Sequence, residues 1–297
     1  MPTVRANGID LYYDTAGDPA DPTILLIMGL ATQSIAWPDV FVARLAAAGF
    51  HVVRFDNRDV GLSTHLDGAP AVHPLWALAA TRFGLPFPLA YTLTDMAADG
   101  VALLDALGVD RAHVVGASMG GMIAQLVAAN HPERVASLTS IMSTSGAPGL
   151  PGPSAPIRRR MLARRPANPT RAEAVAAGEA MLQLISYPDP ARPAGAFAEM
   201  AGRAFDRAYY PAGARRQLLA IIADGSRVAR LAAIRAPTLL IHGADDPLVP
   251  RAGSEDLARR IPHARLEIVE GMAHDLPPSR LEHLAKLIVD HANEISR

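Results

Sequence analysis

The sequence predicts one α/β domain built on a mostly parallel sheet of eight strands, with helices on both faces. Short apolar runs that fit strands alternate with longer helical patterns along most of the 297 residues. This alternation is typical of parallel sheets whose strands are connected by helices. Half of the residues are hydrophobic and 19% are charged, so the chain has enough apolar side chains for one large core.

The predicted elements follow one another in a regular order. The pair Asn7-Gly8 lies between two strand-like runs within residues 4–15, and Asn-Gly favours a two-residue hairpin turn. Residues 23–28 form a continuous apolar run, which is typical of a strand covered on both faces. Further strands are predicted at 51–55, 113–116, 135–142, 238–242 and 266–269, and helices at 41–48, 94–107, 119–129, 252–260 and 281–293. The start of the second of these helices favours Thr94 as its N-cap.

Two stretches interrupt this order. Residues 66–91 are rich in proline and aromatic residues, and residues 146–211 begin with a Gly/Pro-rich run and continue as helical patterns without strands. Helices without intervening strands belong outside the sheet. We therefore expect residues 146–211 to form an inserted helical cap rather than an independent domain, on a core made of residues 1–145 and 212–297.

The composition excludes several classes of protein. The formal net charge is −1, so nothing in the composition points to nucleic acid as a partner. The absence of cysteine excludes disulfides, thiolate metal sites and a cysteine nucleophile. No uncharged apolar run reaches about 18 residues, so we predict no membrane span. Residues 1–7 lack the apolar stretch of a signal peptide, so we expect a cytoplasmic protein.

The sequence also contains no motif that binds a metal or a cofactor, and we expect neither. Three histidines, His51, His113 and His242, lie on predicted strands with no partner at ligand spacing. Such residues are more often core histidines, with their ring nitrogens hydrogen-bonded inside the protein, than metal ligands. Nothing in the sequence indicates a homo-oligomer.

The most specific motif is at residues 116–120, which are Gly-Ala-Ser-Met-Gly. A strand is predicted directly before it and a helix directly after it, which is the context that the pattern G-x-S-x-G requires. Small residues two positions before and after the serine relieve crowding at such a sharp turn. The serine oxygen then stands at a helix N-terminus, which favours developing negative charge. We predict Ser118 as a nucleophile, with an ordinary turn serine as the alternative.

A serine nucleophile needs a base, and the base needs an orienting acid. This motif predicts the chain order serine, acid, histidine. Asp245 and Asp246 follow one late strand, and His274 follows the next, at the sheet edge where sites lie in open α/β sheets. Asp275 is a weaker rival acid, which we expect to face solvent or to cap the following segment.

Taken together, these motifs resemble the α/β-hydrolase fold family over nearly the whole chain. The matching pieces are 56–63 (Asp-Asn-Arg-Asp-Val-Gly-Leu-Ser), 116–120, 131–134 (His-Pro-Glu-Arg), 243–250 and 271–274 (Gly-Met-Ala-His). Within the family the chain is most similar to small bacterial serine carboxylesterases, including the aclacinomycin methylesterase-like group. The resemblance implies Ser118 as nucleophile, Asp246 as acid and His274 as base, because the family pattern Gly-x-x-Asp-Pro selects the aspartate before the proline.

Acyl transfer through a serine also needs two N–H donors for the oxyanion. One is the backbone amide of Met119, the residue after the nucleophile. The resemblance places the other at Leu30. Many relatives have His-Gly where this chain has Met28-Gly29, but the donors are backbone groups and this difference removes neither. Asp56 and Arg58 are interpreted as a charge-assisted brace beneath the active-site loops.

The expected pocket lining is apolar, and many of its members could equally be core residues. The candidates are Leu30, Trp37, Met119, Met142 and the cap residues Met181, Phe197 and Phe205. Methionine adapts to varied partners, and no buried charge is evident to anchor a charged substrate. We therefore predict a small-molecule partner, an uncharged ester of a small to medium apolar acid.

The sequence thus predicts a serine esterase that works through an acyl-enzyme. Acyl transfer, perhydrolysis, and lactone or thioester cleavage remain alternatives on the same three residues, because different acceptors compete for one intermediate. A ligand receptor of the same fold, without enzymatic activity, is the second alternative.

Overall fold

The computed structural model describes residues 2–162 and 169–295. Its described residues contain one sheet of eight strands in the order β1-β2-β4-β3-β5-β6-β7-β8. The strands are β1 (Thr3–Ala6), β2 (Ile9–Ala16), β3 (Thr23–Ile27), β4 (His51–Phe55), β5 (Ala112–Ala117), β6 (Val135–Ile141), β7 (Thr238–Gly243) and β8 (Arg265–Val269). Strand β2 pairs antiparallel with β1 and β4, and all other pairs are parallel. The predicted eight-stranded, mostly parallel sheet is confirmed.

The helices fill the connections between the strands. They are α1 (Asp39–Ala47), α2 (Pro74–Arg82), α3 (Leu93–Ala106), α4 (Met119–Asn130), α5 (Ala155–Leu162), α6 (Arg171–Ile185), α7 (Ala196–Arg207), α8 (Pro211–Asp224), α9 (Val228–Leu231), α10 (Ala252–Arg260) and α11 (Leu281–Asn293). Helices α5 to α9 lie between β6 and β7 with no strand among their described residues. None of the helices in the described part of the chain is long and apolar enough to cross a membrane.

The N-terminal hairpin has the turn that its sequence predicts. Asn7 and Gly8 both have positive φ, 46° and 77°, and Ala6 pairs with Ile9 across the turn. Two consecutive residues with positive φ define the type I′ turn, whose twist matches that of the strands.

The apolar residues form two clusters, one on each face of the sheet. The first packs Leu25 and Ile27 against α3 and α4. The second packs Ile24 and Leu26 against α1 and α11. Successive side chains of β3 therefore enter opposite clusters, which explains why this strand is apolar at every position from Ile24 to Ile27.

The predicted N-cap of α3 is wrong by two residues. Thr92 is the N-cap instead of Thr94: its hydroxyl accepts a hydrogen bond from the amide of Asp95 at 3.2 Å. The carboxylate of Asp95 in turn accepts from the amide of Thr92 at 2.7 Å. This reciprocal capping box satisfies two helix-end donors, and Thr94 has no acidic partner at the required spacing.

Candidate active site

Ser118 stands at a sharp turn between β5 and α4. Its backbone angles are φ 57° and ψ −117°, in the positive-φ region that residues other than glycine rarely adopt. A Cβ atom at Gly116 would lie 2.1 Å from the carbonyl oxygen of Gly120. A Cβ atom at Gly120 would lie 2.0 Å from the carbonyl oxygen of Ile27. The turn therefore requires glycine at both flanking positions, and it leaves Ser118 partly exposed at the N-terminus of α4.

Ser118, His274 and Asp246 form a continuous chain of hydrogen bonds. Nδ1 of His274 lies 2.7 Å from Oδ2 of Asp246, and Nε2 lies 3.0 Å from Oγ of Ser118. Because a carboxylate only accepts hydrogen bonds, Nδ1 carries the proton and Nε2 accepts the bond from the serine hydroxyl. This geometry can activate Ser118 as a nucleophile. The structure thus brings together the three residues that the sequence selects.

The Asp246 carboxylate is held ionised by its surroundings. The amides of Leu248 and Val249 donate to Oδ1 at 2.9 and 2.8 Å, and Nε2 of His242 lies 3.4 Å from Oδ2. Burial by itself raises the pKa of Asp246, but the charge of His274 and hydrogen bonds from both histidines and Val249 outweigh it and lower the pKa to about 2. An ionised acid at this position stabilises a positive charge on His274.

Two backbone segments adjoin the serine. Met119 is the first residue of α4, and the first N–H groups of a helix have no acceptor within it. The segment after β3 also comes close, because a Cβ atom at Gly29 would lie 3.1 Å from Cβ of Ser118. The predicted oxyanion donors, Leu30 and Met119, therefore both belong to segments beside Ser118.

Comparison with known families agrees with this geometry. The model of a family described as "alpha/beta hydrolase fold" matches residues 22–279. The chain belongs to the α/β hydrolase fold family. The predicted resemblance and fold class are thereby confirmed.

The curated relatives of this hydrolase include esterases. Rhodomycin D methylesterase DauP from Streptomyces sp. (strain C5) is 34% identical, and the match covers 98% of each chain. Rhodomycin D methylesterase DnrP from Streptomyces peucetius is 33% identical with the same coverage. The predicted enzyme class, a hydrolase acting on ester bonds, is confirmed by these relatives.

Solved structures show the same architecture. A meta-cleavage product hydrolase from Pseudomonas fluorescens IP01 superposes with a TM-score of 0.77 at 17% identity, covering 99% of this chain and 98% of that one. At this identity the similarity concerns the fold alone.

Asp245 and Asp275, the two other candidates for the acid that orients His274, have different surroundings from Asp246. Asp245 is exposed to solvent. Asp275 accepts hydrogen bonds from the backbone amide of Tyr187, at 3.2 Å, and from the side chain of Arg192. The side chains of Asp275 and Arg192 are each only 11% exposed. The expectation that Asp275 faces solvent or caps the next segment is therefore wrong, because it binds the connection between α6 and α7.

The loop after β4 is braced by three buried ion pairs rather than by a direct pair between Asp56 and Arg58. Arg58 binds Asp99 of α3 at 2.6 and 2.5 Å. The other two pairs are Asp56 with Arg207 of α7 and Asp59 with Arg216 of α8, each at 2.7 Å. The brace is thus charge-assisted as predicted, but its partners come from distant helices.

Sequence reasoning missed all three of these partners. Asp99 carries one usable signal, because it is a charged residue on the buried face of α3, beside Met96 and Leu103. A charge on an apolar helix face predicts an ion-pair partner. Arg207 and Arg216 carry no such signal, since arginine is frequent throughout this segment.

The three strand histidines are buried and hydrogen-bonded, as predicted for core residues. Nδ1 of His51 lies 3.2 Å from Oγ1 of Thr23, and Nδ1 of His113 lies 2.8 Å from Oγ of Ser137. His242 differs from both because its ring also contacts the Asp246 carboxylate, and sequence reasoning missed this contact. Within residues 2–162 and 169–295, no group of three or more His, Cys, Asp or Glu side chains could hold a metal ion.

The predicted pocket residues are divided between the core and the helical connection. Trp37 has no exposed surface and stacks on Phe41 at 5.7 Å, and Met142 is also buried, both in the second apolar cluster. Met181 and Phe205 are half-buried on α6 and α7. Phe197 is half-buried too and lines an open surface pocket of about 390 Å³. A substrate-lining role for these residues stays a prediction.

Proposed function

We propose that this hydrolase is a serine esterase in which Ser118, His274 and Asp246 act as the catalytic triad. The observation that carries the proposal is the unbroken hydrogen-bond chain, 3.0 Å from serine to histidine and 2.7 Å from histidine to aspartate. The alternative of an ordinary turn serine explains neither the positive φ of Ser118 nor the ring aimed at its hydroxyl.

In the first half-reaction Oγ of Ser118 attacks the ester carbonyl while Nε2 of His274 takes the hydroxyl proton. The carbonyl π electrons move to the oxygen, and the amides of Leu30 and Met119 stabilise this oxyanion. When the carbonyl re-forms, the bond to the alcohol breaks, and the leaving alkoxide takes the proton from His274. The acyl group is then bound to Ser118.

Water completes the cycle by the same steps. His274 removes a proton from water as its oxygen attacks the acyl carbon, and it returns that proton to Oγ of Ser118 as the acid leaves. Asp246 keeps the histidine in the tautomer that accepts at Nε2 and stabilises the imidazolium form in both halves.

The proposed substrates are uncharged carboxylic esters of small to medium apolar acids. The methylesterase names of the two Streptomyces relatives add a small alcohol as leaving group. No residue of the proposed mechanism supplies a fixed charge for an ionic substrate group, and half-buried Met181 and Phe205 offer apolar contacts.

We also propose that residues 146–211 form a helical cap on a core made of residues 1–145 and 212–297. In support, the described part of this range contributes no buried residue to either apolar cluster, whereas α8 contributes Ala220 to the first. Residues 163–168 of the proposed cap lie outside the described residues.

The test is hydrolysis of p-nitrophenyl and methyl esters of increasing acyl length by wild type, Ser118→Ala and the control Ser226→Ala, which changes an exposed serine. We expect Ser118→Ala to lower kcat by several powers of ten and Ser226→Ala to leave it unchanged. Circular dichroism checks that each variant is folded. Full activity of Ser118→Ala, or no turnover of any ester by folded wild type, would contradict the proposal.

Product analysis with an added alcohol separates hydrolysis from acyl transfer. Both reactions start from the same acyl-enzyme, so only the ratio of acid to new ester distinguishes them. We expect free acid to dominate at moderate alcohol concentration.

A further inference from the structure

We propose that Gln217 is a positioning residue that sets the oxyanion loop, defined here as residues 28–34. The inference rests on the proposed serine-esterase function, because it concerns how the Leu30 amide is held for an oxyanion. Gln217 lies on α8, is fully buried, and is separated from the loop by 186 residues of sequence. It does not touch the reacting atoms and acts through the backbone.

The side chain of Gln217 bridges two loops. Its Oε1 accepts a hydrogen bond from the backbone amide of Ala31 at 2.7 Å. Its Nε2 donates to the carbonyl oxygen of Arg58 at 2.8 Å. The Arg58 side chain is itself fixed by Asp99, so Gln217 ties the oxyanion loop to a braced part of the core.

The contacted peptide is the one next to the proposed oxyanion donor. The peptide that joins Leu30 to Ala31 has its N–H bound by Gln217 and its carbonyl bound by the hydroxyl of Thr32 at 2.9 Å. The carbonyl of the preceding peptide, on Gly29, accepts from the amide of Thr32 at 3.3 Å. These bonds orient the loop so that the Leu30 amide is the group left to bind a ligand.

The conformation of the oxyanion loop is strained and must be held by neighbouring groups. Ala31 has a φ of 56°, the left-handed region in which a residue with a Cβ atom is strained. Such strain persists only where the surroundings hold it. Without the Gln217 acceptor, the Ala31 amide would be left unpaired. Rotation of this peptide would then relieve the strain at Ala31 and loosen the adjoining peptide, which carries the Leu30 amide.

The test compares three variants of α8 in the folded full-length protein. Gln217→Met keeps the size but removes both hydrogen bonds, and Gln217→Glu keeps an acceptor for Ala31. Leu219→Ala removes a buried side chain two residues along the same helix and controls for loss of stability. The readouts are kcat and KM for a p-nitrophenyl ester, the rate at which a p-nitrophenyl phosphonate modifies Ser118, and the thermal midpoint.

We expect Gln217→Met to lower kcat and the phosphonylation rate together by roughly 10- to 100-fold, less than the 10²–10³ lost with a whole oxyanion donor. KM should stay within about threefold of wild type, since the loop is needed chiefly in the transition state. Gln217→Glu should recover part of the loss. Leu219→Ala should lower the thermal midpoint while kcat stays close to wild type.

The inference is overturned if Gln217→Met retains wild-type kcat, or if Leu219→Ala loses as much activity as Gln217→Met. Failure of the proposed function gives a different result. In that case wild type neither hydrolyses the ester nor becomes phosphonylated at Ser118, and both proposals fall.

Discussion

The histidine loop, residues 271–276, and the oxyanion loop both adjoin Ser118 but are held by different parts of the molecule. The backbone amide of His274 donates to the carbonyl of Ile185 at 2.9 Å. Asp275 adds its bonds to Tyr187 and Arg192. These three partners all belong to the proposed cap.

The oxyanion loop is anchored in both the core and the proposed cap. Asn57 donates to the carbonyl of Met28 at 2.9 Å, and the amide of Ser34 donates to Asp56 at 2.7 Å. Gln217 accepts from the amide of Ala31. The side chain of Gln33 donates to two carbonyls at the end of α7 and accepts from Arg207, which links the loop to the proposed cap. A displaced cap would therefore act directly on the backbone of the proposed base, whereas the oxyanion loop would keep its three hydrogen bonds to the core.

A cap that opened as a free lid would therefore have to break a hydrogen bond to the backbone of the proposed base. Substrate entry without that break requires motion of other parts of the segment between β6 and β7. This argues for a cap that is a fixed support of the histidine loop.

The largest expected effect concerns the acid that holds His274. Asp246→Asn should lower kcat by about three to four powers of ten, because an amide can donate to Nδ1 and favour the wrong histidine tautomer. The matched control is Asp245→Asn, which changes the exposed neighbour and should leave kcat within about twofold of wild type. Steady-state kinetics on the preferred ester measures both. Equal losses in the two variants would remove Asp246 from the mechanism.

A smaller effect is expected where the histidine loop meets the proposed cap. Asp275→Asn keeps an acceptor for the Tyr187 amide but removes the charge that binds Arg192, so His274 should be held less firmly. We expect kcat to fall by up to about tenfold, which corresponds to ~1.4 kcal/mol of barrier.

The same pair offers a double-variant test. Arg192→Gln should cause a similar loss, and combining it with Asp275→Asn should add little, because both changes break one contact. Arg251→Gln, at an exposed ion pair with Glu255, serves as the control. Fully additive losses would mean that the two side chains act separately on the histidine loop.

The smallest effect is a pH dependence of stability that comes from Asp246. Its pKa in the folded protein is about 2, below the ordinary 3.8, so the unfolded chain binds the proton more readily. The resulting stabilisation is present above about pH 4 and is lost as the pH falls towards 2. In urea unfolding at pH 5 and at pH 2.5, Asp246→Asn should therefore lose less stability than wild type, while Asp245→Asn should behave like wild type.

The sheet and the triad candidates could be predicted because the sequence patterns that indicate them are local. A strand that enters two apolar clusters is apolar over most of its length. Ser118 lies in a pentapeptide whose glycines are required by close backbone contacts. Asp246 and His274 follow strands, so topology places them at the same edge of the sheet. The choice of Asp246 over its neighbour Asp245 comes from the family pattern Gly-x-x-Asp-Pro.

The supports of the two loops could not be predicted because their partners are far apart in the chain. Gln217 and Ala31 are 186 residues apart, and Arg216 and Asp59 are 157 residues apart. A lone glutamine on a helix has no pattern that indicates its partner. Asp275 was misassigned for the same reason, since its partner Arg192 lies in a segment whose path the sequence does not specify.

The close approach of Gly120 to the carbonyl of Ile27 has a consequence for when, during folding, the turn of the proposed nucleophile Ser118 can form. Ile27 ends a strand that is translated about ninety residues before the serine turn, and β3 must already lie beside β5 for the turn to close. The geometry of the proposed nucleophile is therefore a product of long-range assembly. A fluorophosphonate label on Ser118 would then report completion of the central sheet during refolding, and fragments that lack β3 would remain unlabelled.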